Sequence, residues 1–164
     1  MQTATARSLP PRTAARPKTQ YTAPGVSQIR DIVFTDATHG WAVGVGWGSQ
    51  GGMILATTDG GTTWHQQPVS AGLWEWFYSV DFVDARHGWA VGQDGIIAAT
   101  TDGGATWKRQ SAPISYAIDL EQVDFVNTKR GWTAGESWGA NGIILATKDG
   151  GSTWLAQRLP NSVK

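Results

Sequence analysis

The chain of 164 residues contains no cysteine, which excludes a disulfide framework and a thiolate metal site. Its 13 basic residues equal its 13 acidic ones, so there is no overall basic excess to mark a nucleic-acid-binding surface. With 21 Gly, 10 Trp and only 16% charged residues, the composition suits short strands and tight turns, and no apolar run approaches the roughly 20 residues of a membrane-spanning helix.

The charge is unevenly placed. Residues 1–30 carry Arg7, Arg12, Arg16, Lys18 and Arg30 and no acid, so the remaining body is acidic. Pro10, Pro11, Pro17 and Pro24 interrupt a segment with few large apolar side chains. Residues 1–28 are therefore expected to form a disordered basic tail, because they cannot bury enough surface to offset the entropy of ordering. The tail lacks the apolar core of a secretory signal. It suits a basic linker, with a transit peptide as the alternative.

From residue 29 to residue 164 the chain repeats itself three times. The first unit, 29–69, predicts strands at 30–35, 41–44, 53–57 and 63–67. The second, 77–113, predicts strands at 79–83, 89–92, 96–100 and 106–110, and the third, 120–160, predicts them at 122–126, 132–135, 143–147 and 153–158. Each unit opens with an apolar run ending in Phe34, Phe82 or Phe125. A turn beginning with Asp36, Asp84 or Asn127 follows and leads to a Gly-Trp pair. Asp and Asn at that place accept hydrogen bonds from the backbone N–H groups ahead of them. Each unit closes on one template: TTDGGTTW with Asp59, Gly61, Thr63 and Trp64; TTDGGATW with Asp102, Gly104, Thr106 and Trp107; and TKDGGSTW with Asp149, Gly151, Thr153 and Trp154. Paired Gly after Asp supply the positive φ that a hairpin turn needs, and the Trp anchors it from beneath. The three Asp are 43 and 47 residues apart. A period of 40–50 residues with four short strands is the sequence signature of a propeller blade.

The templates match the Asp-box, or BNR repeat. The longer unit resembles the repeats of the photosystem II assembly and stability factor family, over roughly residues 29–160. The resemblance implies an all-β fold of three four-stranded antiparallel blades with Asp-box hairpins, an incomplete ring where the family has seven blades. It also implies a protein or peptide partner, a photosystem II reaction-centre protein in photosynthetic members. The locations it implies are the thylakoid lumen, the periplasm or the cell exterior.

Gly46 to Gly51 spells G-x-G-x-x-G, but a strand is predicted after it, and a dinucleotide site needs a helix there. His39 and His87 occupy equivalent turns, while the third such position is Arg130 and His65 starts an outer strand, so no metal site is expected. Sialidases share Asp boxes but need an arginine cluster and an activated Tyr. Arg30, Arg86, Arg109, Arg130 and Arg158 are scattered through the repeats. Asp81 and Asp124 recur as equivalent positions on the innermost strand, with Asp31 near the same register. No catalytic residue, cofactor or metal is expected.

Successive strands run up and down, so the turns fall into two sets. One set carries Trp47 and Trp138 in the turns between second and third strands, with Trp74, Trp76, Tyr78 and Tyr116 in the crossovers between blades. These aromatics form a contact surface or pack over the blade junctions. As partner-binding candidates, Trp47, Trp74, Trp76, Tyr116 and Trp138 suit a non-enzymatic scaffold. The alternatives are a lectin-like glycan binder and a fragment of a sialidase-like hydrolase. Three blades leave two apolar end faces, so self-association or completion by other blades is also expected.

Overall fold

The computed structural model describes residues 25–48, 51–70, 73–114, 118–137 and 142–159. They form twelve strands in three antiparallel sheets, each ordered as in the chain. Blade 1 comprises β1 (Val26–Phe34), β2 (Gly40–Gly46), β3 (Gly52–Thr57) and β4 (His65–Gln66). Blade 2 comprises β5 (Phe77–Phe82), β6 (Gly88–Gly92), β7 (Ile97–Thr100) and β8 (Lys108–Arg109). Blade 3 comprises β9 (Ile118–Phe125), β10 (Gly131–Ser137), β11 (Gly142–Thr147) and β12 (Leu155–Ala156). The helical content of the described residues is a single 3-10 turn at Gln93–Gly95.

Several boundaries differ from expectation; β9, for one, begins at Ile118, four residues before the expected 122. β1 begins at Val26, inside the segment expected to be tail; the rest of that segment lies outside the described residues. Each fourth strand is two residues long, where five or six were expected. The reason is that Thr63, Thr106 and Thr153 give their N–H groups to the Asp-box carboxylate and not to a ladder. Tyr78, expected in a crossover, lies within β5.

β2 and β6 are buried throughout, whereas β1 exposes Ile29, Ile32 and Phe34 and β9 alternates. The core lies between blades. Trp41, Val43 and Ile54 meet Leu73, Phe77, Val80 and Phe82 across the first joint, and Trp89, Val91 and Ile97 meet Leu120, Val123 and Phe125 across the second.

One mechanism builds both joints. Within each blade the Phe ring occupies the space beside the Gly of the Gly-Trp pair, where a Cβ would collide with it. The following Trp then reaches into the next blade. Trp41 stacks on Phe82 with centroids 3.7 Å apart and gives its indole N–H to the Gly103 carbonyl at 3.0 Å. Trp89 stacks on Phe125 at 3.5 Å and donates to the Gly150 carbonyl at 3.0 Å.

Candidate functional site

The three Asp boxes share one hydrogen-bond set. Thr57 Oγ1 donates to Asp59 Oδ1 at 2.8 Å and accepts the Gly61 N–H at 3.0 Å, while Asp59 takes the N–H and hydroxyl of Thr63 at 2.9 and 2.6 Å. Asp102 takes the hydroxyls of Thr100 and Thr106 at 2.7 and 2.6 Å, and Asp149 takes those of Thr147 and Thr153 at 2.8 and 2.6 Å. The hydroxyl bonds, led by that of Thr63 or Thr106, hold Asp59 and Asp102 down at about 2. Asp149 is lowered for the same reason, led by Thr153. The Gly150 N–H binds the Lys129 carbonyl at 2.9 Å, which ties the box to the first turn of its own blade; Gly60 and Gly103 do likewise. Each carboxylate is thus engaged within its own hairpin.

The histidines serve the first turns. His39 Nδ1 lies 2.8 Å from Asp36, and His87 Nδ1 lies 2.9 Å from Asp84. Asp36 is held well below the usual carboxylate range, first by the Thr38 hydroxyl and then by backbone N–H groups. His65 lies apart from both, on β4. The glycine-rich stretch from Gly46 leads into β3, a strand.

The inner-strand acids reach across the joints. Asp31 Oδ2 accepts the Ser79 hydroxyl at 2.8 Å and the Val80 N–H at 3.0 Å. Ser79 Oγ in turn accepts the Val123 N–H at 3.3 Å, and Asp81 Oδ2 accepts the Phe125 N–H at 2.6 Å. Asp31 pairs with Val43, whereas Asp81 and Asp124 pair with Trp89 and Trp132. Its register therefore matches Ser79 and Gln122 rather than Asp81, two residues from the place expected. Sequence reasoning also missed a row across the three inner strands. Arg30 lies over the Tyr78 ring at 5.4 Å, and the Tyr78 hydroxyl donates to Asp119 at 3.4 Å. Burial pushes the Tyr78 phenol up, and Asp119 adds to that. No repeat position announces this row, because the three residues are of three different types.

The aromatic end is built by two kinds of loop. The Gly52 N–H donates to the Trp74 carbonyl at 3.3 Å, and the Gln93 N–H donates to the Trp76 carbonyl at 2.9 Å. The second turns of blades 1 and 2 are thereby fastened to the crossover between them. Trp47, Trp74 and Trp76 all lie on this end and are 64%, 66% and 43% exposed, while Phe77 beside them is buried in the joint. Tyr116 and Trp138 lie outside the described residues. Trp74 stands at the rim of a cleft of about 560 Å³ lined by Gly52, Gln66, Pro68, Val69, Ser70 and Leu73. Beneath it Arg109 Nη1 pairs with Glu75 Oε1 at 2.6 Å, joining the outermost strand of blade 2 to the crossover.

Among the described residues no helix is long and apolar enough to cross a membrane. The sequence model of the family described as photosynthesis system II assembly factor YCF48 matches residues 67–164. A solved structure of YCF48 bound to D1 peptide is 30% identical, with a TM-score of 0.66 over 81% of this chain and 41% of that one. YCF48 from Cyanidioschyzon merolae is 27% identical, with a TM-score of 0.63 over 82% of this chain and 38% of that one. The chain thus spans about two fifths of the length of either structure. An ancestral GH74 enzyme, 17% identical with a TM-score of 0.64 over 79% of this chain and 20% of its own, shares the fold. No curated protein sequence matches significantly.

Proposed function

Because the chain belongs to the YCF48 photosystem II assembly factor family, we propose that it is a non-enzymatic propeller scaffold that holds an extended segment of a protein partner. Its contact surface is the aromatic end with Trp47, Trp74 and Trp76, and Tyr116 and Trp138 are further candidates by sequence. The observation that carries this reading is Trp74, two thirds exposed and lining a cleft together with Leu73 and Val69. An exposed indole beside a cleft that offers both aliphatic and amide side chains is a common anchor for a partner's side chain. By analogy with YCF48 bound to D1 peptide, the partner class is a photosystem II reaction-centre protein. A lumenal, periplasmic or secreted location goes with this role.

Two features speak against catalysis. A nucleophilic Tyr needs its proton removed, and Tyr78 is pushed the other way by burial and by Asp119. The inner carboxylates of Asp31 and Asp81 are taken up by N–H and hydroxyl donors of the next blade.

The test is a fluorescence titration with peptides tiling the D1 sequence, run beside fluorogenic glycosides and a glycan array. The expected result is saturable peptide binding that drops roughly tenfold or more in Trp74→Ala and further in the double variant with Trp47→Ala. Glycoside turnover, glycan binding lost in the same variants, or no binding to any peptide would overturn the reading.

A further inference from the structure

Blade 3 carries the leading half of a third joint, still open. Trp132 stands in the register of Trp89, opposite Asp124 as Trp89 is opposite Asp81. Yet it is 41% exposed where Trp41 and Trp89 are each 3%, and among the described residues no ring stacks on it. Gln157 repeats Gln110, their N–H groups donating to Ile144 and Ile97 at 2.8 Å each. At the second joint Gln110 Nε2 donates to the Gly150 carbonyl at 3.0 Å, and Gln110 Oε1 accepts the Trp154 indole N–H at 3.2 Å. At blade 3, by contrast, Trp132 and Gln157 line an open cleft of about 380 Å³ with Arg130, Thr153 and Leu155. This cleft is where an incoming Asp-box hairpin would sit.

Blade 1 carries the trailing half. Phe34 lies beside Gly40 as Phe82 lies beside Gly88, and it meets its own Trp64 edge-on at 6.0 Å. Among the described residues no indole stacks on it, and the ring is 41% exposed. Gly60 holds the place of Gly103 and Gly150, and Trp64 is only half-buried where Trp107 and Trp154 are buried.

We infer that blade 3 of one chain receives blade 1 of a second copy, head to tail. Trp132 stacks on Phe34 of the second copy and gives its indole N–H to that copy's Gly60 carbonyl. Gln157 takes the second copy's Trp64 indole N–H, and Asp124 takes the second copy's Phe34 N–H as Asp81 takes that of Phe125. The occupant is a second copy because the two halves are on the same chain. The stack and the indole bond match what this chain makes at both internal joints, and the Gln and Asp bonds match its second joint. Formed twice about a two-fold axis, the joint closes six blades, within the four to eight of closed propellers. Each joint sets blade 3 against blade 1, and the two-fold axis exchanges the two joints, so the dimer interface as a whole is isologous.

The test is light scattering and sedimentation of the full chain at tens of micromolar, with far-UV circular dichroism to establish folding. The expected mass is twice 17.6 kDa. Trp132→Lys and Phe34→Lys should each weaken the assembly by roughly tenfold or more while keeping the β spectrum. Mixing the two variants should recover dimer in part, since Trp132→Lys retains an intact blade 1 face and Phe34→Lys an intact blade 3 face, which together re-form one of the two joints. A monomeric wild type, a dimer undisturbed by Trp132→Lys, or two folded variants that fail to recover on mixing would overturn the inference.

Discussion

Trp89 lies flat against Phe125, with centroids 3.5 Å apart and planes 5° from parallel, although the two residues belong to different sheets. The indole cannot slide, because its N–H is fixed on the Gly150 carbonyl. Trp89→Ala removes both the stack and the bond from a buried joint and should cost about 3–5 kcal/mol. Trp89→Phe keeps a ring but no donor and should cost less. Urea melts of the two variants against the parent check the order.

The Asp-box tryptophans separate packing from hydrogen bonding. Trp154 donates its indole N–H to Gln110, whereas the buried Trp107 Nε1 has no acceptor among the described residues. Gln67, the residue in the matching place, donates instead to the His65 carbonyl at 3.5 Å. Trp107→Ala should cost about 3–5 kcal/mol as a large buried aromatic. Trp154→Phe should cost more than Trp107→Phe, by about 1 kcal/mol, since only the former breaks a bond. Denaturant midpoints at constant slope report the difference.

The Asp boxes set the acid limit. Asp59 and Asp102 are held at about 2, below the usual carboxylate value near 4. A lowered folded value means that the stabilisation is fully present above the unfolded value and is lost as pH falls through the folded one. The melting temperature should therefore fall between pH 4 and pH 2. Asp102→Asn should flatten that part of the profile, and Asp102→Ala should cost about 1–2 kcal/mol at neutral pH. A scan of melting temperature against pH for parent and variants reads both.

Asp81 has the opposite sign. Burial pushes its carboxyl up despite the N–H bond from Phe125. Its charge is therefore carried at a cost, and the contribution becomes less favourable as pH rises through the raised value. Asp81→Asn keeps an acceptor without the charge and should be close to neutral in stability. Asp81→Ala leaves the Phe125 N–H unpaired and should cost about 1–3 kcal/mol. Thermal melts at pH 7 distinguish the two.

What could be read in the sequence was local. The Asp boxes close between residues four apart, Asp59 to Thr63, and the first turns close between residues two or three apart, Asp84 to Arg86 and His87. Residue type and spacing suffice for such contacts. The joints were not legible, since Trp41 meets Phe82 and Asp31 meets Ser79, 48 residues on. Gly-Trp recurs in every unit, but nothing in the pair says that the Gly serves its own blade and the Trp the next. The fourth strands were expected too long because Thr63 and Trp64 suit a strand by type, and only the competing carboxylate removes them from it. Trp47, Trp74 and Trp76 were legible as a group but not their fastening to the crossover, which runs through backbone groups.

The joint also has a direction. Each blade offers its Trp and its inner-strand acceptor forward and receives them from behind, as Trp41 and Asp31 do for blade 2. Translation delivers the blades in that same order. When blade 1 has left the ribosome, the surface that seats blade 2 is already assembled, and blade 2 in turn prepares the seat for blade 3. A circular permutant that releases blade 3 first would present Phe125 before any Trp89 exists to cover it. Its chain would reach the same contacts only after synthesis of its last blade.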